Sequence, residues 1–117
     1  MHRIGINAYV GRPGETATVS TTVHGSGSVV VRLDGVDVGA ARTFPLKSAA
    51  GDQTNLQIAL FGASGDSCVV GIRAVDGGTD SDLLVCQPHD PAPVHSYTFI
   101  VASAAAVSTL ADVRGSK

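Results

Sequence analysis

Apolar and polar residues alternate through most of this chain, and clusters of Gly, Pro and Asp interrupt the alternation at short intervals. A period of two sends successive side chains to opposite faces of an extended backbone, so the pattern predicts short strands and almost no helix before residue 102. Ile4, Ile6, Ala8 and Val10 alternate with Gly5, Asn7 and Tyr9 and predict a first strand. Arg12-Pro13-Gly14 turns the chain. Ala17, Val19, Thr21 and Val23 then mark a second strand with a hydroxyl-rich outer face.

The clearest local signal is Val29, Val31 and Leu33 running into Asp34-Gly35 and out through Val36, Val38 and Ala40. Asp-Gly supplies the positive φ angles of a two-residue type I′ hairpin. That turn predicts Leu33 opposite Val36, Val31 opposite Val38, and Val29 opposite Ala40. It also sets Arg32 against Asp37, a cross-strand charge pair on the other face. Phe44 and Leu46 straddle Pro45, which suits an edge segment or a crossing between sheets. Residues 47–53 read as a loop. Leu56, Ile58 and Leu60 predict a central strand with Phe61 facing the other way. Cys68, Val70, Ile72 and Ala74 form the next inward face, and Asp82, Leu84 and Cys86 run back after Asp76-Gly77-Gly78. The last strand carries Tyr97, Phe99 and Val101 on one face and Ile100 on the other.

Seven to eight short strands at this spacing predict an all-β fold, a two-sheet immunoglobulin-like β-sandwich of antiparallel strands. At 117 residues the chain suits one domain. We expect the sandwich over residues 1–101 and a tail, short helix or linker, over 102–117.

Cys68 and Cys86 stand on either side of the predicted 76–78 turn. A three-residue loop there sets Val75 against Thr79, and equal steps outward bring Cys68 opposite Cys86. A two-residue Gly77-Gly78 loop would set Gln87 there instead. The first register places both sulfurs on one face within bonding reach, and we expect a disulfide. Closing that loop would stabilise the fold by roughly 3 kcal/mol in the chain-entropy model. The alternative is two buried thiols acting as small hydrophobes. This bridge would lie within one hairpin, unlike the inter-sheet bridge of antibody domains, whose packing Trp is also missing: the chain has no Trp.

Charge narrows the partners. Eight basic residues against ten acidic ones, scattered along the chain, do not make the clustered positive surface that nucleic acid or anionic membrane needs. No apolar run reaches the ~20 residues of a membrane span. No cofactor is expected, and two cysteines without CxxC or CxxH spacing are too few for a metal site. Met1-His2-Arg3 leads straight into a strand-like segment, without a signal-peptide pattern. A disulfide belongs in an oxidising compartment. The chain is then either cytoplasmic or a mature domain of a secreted or cell-surface protein, and the expected disulfide favours the second.

Candidate chemistry is sparse. Asp76, Asp80 and Asp82 surround a glycine turn and could offer oxygen ligands to calcium. Asp also favours turns by bonding nearby backbone amides, and that reading is preferred. Ser96 beside His95, with Asp90 nearby, is the nearest approach to a hydrolytic triad, but no GxSxG, HExxH or Cys-His signature accompanies it. Residues 87–94 form a stiff loop in which Pro88, His89, Asp90, Pro91 and Pro93 are candidate binding residues. Prolines pre-set its backbone and reduce the entropy lost on binding. Aromatics are 4% of the chain, which makes a stacking platform for sugars poor. Tyr9 and Tyr97 are the candidates for exposed rings, and sugar recognition by hydrogen bonds alone stays open.

Pro13-Gly14-Glu15-Thr16 before an alternating strand, then Val31-Arg32-Leu33-Asp34-Gly35-Val36 with Val38-Gly39, then a late strand ending near Asp76-Gly77, resembles bacterial immunoglobulin-like surface modules, including the adhesion-related CARDB type. The resemblance spans about residues 10 to 80. It implies a sandwich serving as a spacer or binding unit in a long secreted protein, and it transfers no functional residue.

The expected function is thus a non-catalytic module with a spacer, adhesion or binding role, its partner a protein or a surface glycan. The alternatives are a dedicated recognition protein, such as a protease inhibitor, using the proline loop, and a self-assembling structural subunit that pairs edge strands.

Overall fold

The computed structural model describes residues 1–74 and 79–102. Ten strands lie among them: β1 (His2–Gly5), β2 (Ala8–Gly11), β3 (Thr16–His24), β4 (Ser28–Leu33), β5 (Val36–Gly39), β6 (Arg42–Pro45), β7 (Gln53–Phe61), β8 (Ser67–Ala74), β9 (Thr79–Val85) and β10 (Val94–Val101). They form two sheets. The six-stranded sheet has the order β1-β2-β10-β7-β4-β5, and the four-stranded sheet β6-β3-β8-β9. The all-β, two-sheet architecture is the predicted one. The strand count is ten instead of seven or eight, and one pair is parallel: β2 lies along β10 with Phe99 beside Tyr9. In the constant-type immunoglobulin order the last two strands are neighbours. Here β9 and β10 sit in different sheets.

Alternation explains the core. Ala17 and Val19 of β3, Leu56, Ile58 and Leu60 of β7, Val70 and Ile72 of β8, and Phe99 and Val101 of β10 are all buried between the sheets. Burying each of the Val, Leu, Ile and Phe side chains contributes roughly 1.5–3 kcal/mol against leaving it in water. Phe44 of edge strand β6 meets Phe99 edge to face, with ring centroids 5.2 Å apart, and Tyr9 lies against the same ring at 5.1 Å. One ring from β10 thus ties two other strands into the core.

Three local expectations are corrected. The single strand predicted across residues 4–10 is a hairpin, β1 and β2, because Asn7 adopts a left-handed turn at φ 56°. Asn is among the few side chains that tolerate that conformation. Ile4 and Ile6 are consequently exposed. The Asp34-Gly35 hairpin forms with positive φ at both residues, and Leu33 faces Val36 and Arg32 faces Asp37 as predicted. A bulge then sets Val31 opposite Gly39 in place of Val38. The Asp37 carboxylate accepts the Gly39 N–H at 3.0 Å and holds the bulge.

The third correction concerns the cysteines. Arg73 faces Thr79 and Ser67 faces Val85, so Cys68 lies opposite Leu84 and the expected partnership with Cys86 is two residues out of register. The far end of the hairpin fixes this. Cys86 N–H donates to the Asp66 carbonyl, and Gly65 N–H donates to the Cys86 carbonyl, both at 2.8 Å. Cys68 and Cys86 are both buried, free thiols. Burial pushes both thiols up, with the Asp66 carboxylate adding to the effect at Cys86. The tail reading over 102–117 and the Asp76-Gly77-Gly78 turn lie outside the described residues, apart from Ala102.

Candidate functional site

Strand β9 is an edge strand, and its inward series runs Asp80, Asp82, Leu84, with Cys86 continuing just past its end. Leu84 and Cys86 complete the apolar core. Asp80 and Asp82 occupy the next two inward positions, where a sandwich of this kind needs apolar side chains. Across the gap, β10 offers His95, Tyr97, Phe99 and Val101 on its inward face. The apolar half of that series fills the core, and the polar half meets the carboxylates.

The contacts are short. The Tyr97 hydroxyl donates to Asp82 Oδ2 at 2.6 Å, and His95 Nδ1 lies 2.7 Å from the same oxygen. The Leu83 N–H donates to Asp82 Oδ1 at 2.8 Å. Burial alone would raise the Asp82 carboxyl, but the Tyr97 hydroxyl, the Leu83 N–H and His95 together outweigh it and hold it below the ordinary carboxylate range. Asp82 is therefore ionised at neutral pH, and in the neutral imidazole Nδ1 carries the hydrogen. Tyr9, on β2, sits beside Asp80. Burial, the hydrogen bond to Asp80 and that carboxylate's charge push its phenol up to about 12. Burial and the Asp82 hydrogen bond push Tyr97 higher still. Both phenols thus stay protonated and act as hydrogen-bond donors.

These groups border a cleft of about 360 Å³ between the sheets. Arg3, Asn7 and His95 stand on the six-stranded side, and Asp80, Ser81 and Asp82 on the four-stranded side. Val70 and Ile72 of β8 supply its apolar lining. Volumes of roughly 300–1,000 Å³ with a few convergent polar groups are the ordinary form of a small-molecule site.

The predicted residues fare as follows. Asp80 and Asp82 do come together, aimed at two tyrosines, while Asp76 lies outside the described residues. Among the described residues no group of three or more His, Cys, Asp or Glu could hold a metal ion. His95 is carboxylate-bound, but to Asp82 and not to Asp90, which pairs through its backbone with Gln87. Ser96 points to the opposite face of β10 and is exposed. The rings of Tyr9 and Tyr97 are buried, so neither is an exposed platform, and Phe61 is the aromatic that faces solvent. In the proline loop, Pro88, His89, Asp90 and Pro91 are exposed and Pro93 is buried, and none of the five lines the cleft.

Sequence reasoning had placed Asp82 on the inward face of its strand and had named His95 and Tyr97 separately. The missed signal was that alternation along β10 puts His95 and Tyr97 on one face. No family model, curated protein or solved structure matches this chain.

Proposed function

We propose that this domain is a non-catalytic recognition module and that its ligand enters the cleft between β9 and β10. One observation carries the reading: two carboxylates occupy inward positions of a sandwich strand and border a cleft together with His95 and Tyr97. Local violations of an otherwise consistent pattern are expected at functional sites. The non-catalytic part follows from the state of the side chains. The phenols are held protonated, the two thiols are buried and pushed up, and Asp82 is saturated at Oδ2 by two partners. Such groups orient a ligand better than they attack one.

Two packed sheets of short strands are the architecture that immunoglobulin-like surface modules use to present binding faces. This supports a module with an adhesion or spacer role in a longer protein. The argument for an oxidising compartment rested on the disulfide. With both cysteines free, secretion is not part of the proposal.

The test is a nitrogen-15 NMR screen of small polar compounds against the whole chain. Binding should move the amides of Asn7, residues 80–82 and His95 together, and Asp82→Asn should abolish those shifts. Shifts gathered instead around Phe61 and Val94, which border a groove of about 300 Å³ on the outer face of the six-stranded sheet, would move the site there.

A further inference from the structure

We propose that the outer face of the six-stranded sheet carries a second binding site, a groove that takes an aliphatic monocarboxylate: an apolar chain ending in one carboxylate. The site stands apart from the cleft between β9 and β10 and does not rest on it. The groove holds about 300 Å³ and is lined by Val30, Arg32, Gln57, Ala59, Phe61 and Val94.

Strand register arranges these side chains in rows. Arg32 of β4 lies opposite Gln57 of β7, and Gln57 lies opposite Ser96 of β10. Val30 lies opposite Ala59, and Ala59 opposite Val94. Phe61 stands in the row beyond, opposite Ser28. Residues two apart on a strand share a face and are about 7 Å from each other. The outer face therefore runs from a polar row, through an apolar row, to an aromatic ring over roughly 13 Å. Phe61 and Val94 are 46% and 54% exposed. Exposed apolar surface rimmed by polar residues is the usual mark of a binding groove.

Arg32 decides the head group. Its guanidinium stays charged throughout the physiological range. It is exposed, and among the described residues it has no ion-pair or hydrogen-bond partner. Asp37 stands opposite it on β5, but Asp37 Oδ1 accepts the Gly39 N–H, and no ion pair joins the two. A guanidinium fork matches a carboxylate with two parallel hydrogen bonds. Gln57 and Ser96 can donate beside it. An ammonium head would meet the Arg32 charge, and an uncharged head would leave it unmatched. An extended peptide fits less well. Strands β4, β7 and β10 are all interior, with their backbone groups paired to neighbours, so the peptide's own amides would find no free sheet edge. A chain without amides, laid across Val30, Ala59 and Val94 towards Phe61, leaves nothing unpaired.

The experiment titrates the whole chain with sodium octanoate, octylammonium chloride and sodium acetate, each followed by nitrogen-15 NMR. Octanoate should give saturable shifts at the amides of Arg32, Gln57, Ala59 and Val94, with Kd on the order of 1 mM. The amides of Asn7, Ser81 and Asp82, at the cleft, should stay in place. Arg32→Gln should weaken octanoate binding about tenfold, since it removes the charge and the fork from an exposed position. Acetate is a head without a chain, and octylammonium a chain with the wrong head; each should bind about tenfold more weakly than octanoate, or less. Octylammonium that shifted the groove as strongly as octanoate would overturn the carboxylate assignment. So would an Arg32→Gln chain that bound octanoate as the unaltered one does. Octanoate shifts that were absent from the groove, never saturated, or gathered at Asn7, Ser81 and Asp82 would remove the groove as its site. The cleft lies on the other face of β10, so its own test stands or falls separately.

Discussion

Tyr97 and Asp82 clasp the two sheets together: a hydroxyl from an inner strand of one donates at 2.6 Å to a carboxylate on an edge strand of the other. Removing only one partner leaves the other short of a bond in a half-buried site, which costs about 1–3 kcal/mol. Tyr97→Phe should therefore destabilise the domain by that amount in urea unfolding. Replacing both partners by apolar groups avoids the orphan. Tyr97→Phe combined with Asp82→Leu should recover most of the loss, since an apolar residue at 82 extends the inward series of Leu84 and Cys86. A double variant as unstable as the sum of the single ones would show that the carboxylate is there for the fold and not for a ligand.

The same clasp sets an acid limit. Asp82 has a folded value below its unfolded one, about 3.9. Its contribution is therefore present above that unfolded value and disappears as pH falls through the lower folded value. Melting temperatures of the unaltered chain and of Asp82→Asn should differ at neutral pH and converge in strong acid. A constant difference down to the lowest pH would remove Asp82 as the cause.

Phenols impose the opposite limit. Tyr9 is raised to about 12 and Tyr97 is raised further, against an unfolded value of about 10. The neutral forms are favoured by folding, so their contribution is whole below pH ~10 and is lost as pH climbs through the folded values. The chain has two Tyr and no Trp, so tyrosinate absorbance reads these groups alone. Little tyrosinate should appear near pH 10 in the folded protein, and its appearance should coincide with unfolding. A reversible titration near 10 in folded protein would place at least one phenol in solvent.

Most of the fold was legible because alternation is a local signal. Leu56, Ile58 and Leu60 announced a buried strand face, and Asp34-Gly35 announced its hairpin, without knowledge of any distant residue. Where a single side chain could end or kink a strand, the pattern misled. Asn7 split one predicted strand into two, and Gly39 slipped a register by one residue. The site was the least legible part. Asp82, His95 and Tyr97 come from strands in different sheets, and which strands face each other across a sandwich is decided by packing of the whole chain. The cysteine register failed for a related reason: backbone bonds from Gly65 and Asp66 to Cys86 set it from the far end of the hairpin.

Gly25 offers a sharp steric test. A Cβ there would stand 2.1 Å from Asp66 Oδ1, at a backbone φ of +110°. Asp66 cannot move without loss, because its carboxylate accepts the Ala63 N–H at 3.0 Å and bonds the Ser26 hydroxyl at 3.4 Å. Gly25→Ala should cost more than about 2 kcal/mol, combining backbone strain with a displaced hydrogen-bond network. Gly14 also has positive φ, but nothing lies within 4 Å of its Cβ position. Gly14→Ala should cost only the conformational term, about 1–2 kcal/mol. Equal losses in thermal unfolding would mean that Asp66 does not hold this corner.

The two thiols give the last prediction. Cys68 and Cys86 share the inward face of one hairpin, but Cys68 lies opposite Leu84, and both sulfurs are buried. A thiolate is the reactive form, and burial pushes both thiols up, so neither ionises readily in the folded domain. A disulfide reagent should leave both untouched in native buffer and react with two thiols per chain in denaturant without reductant. Rates of modification across a denaturant series should follow global unfolding, since both side chains sit in the common core. If the denatured, unreduced chain offered no reactive thiol, the two sulfurs would be bonded to each other. The hairpin would then have to pair Cys68 with Cys86, and the clasp of Gly65 and Asp66 on Cys86 would have to break.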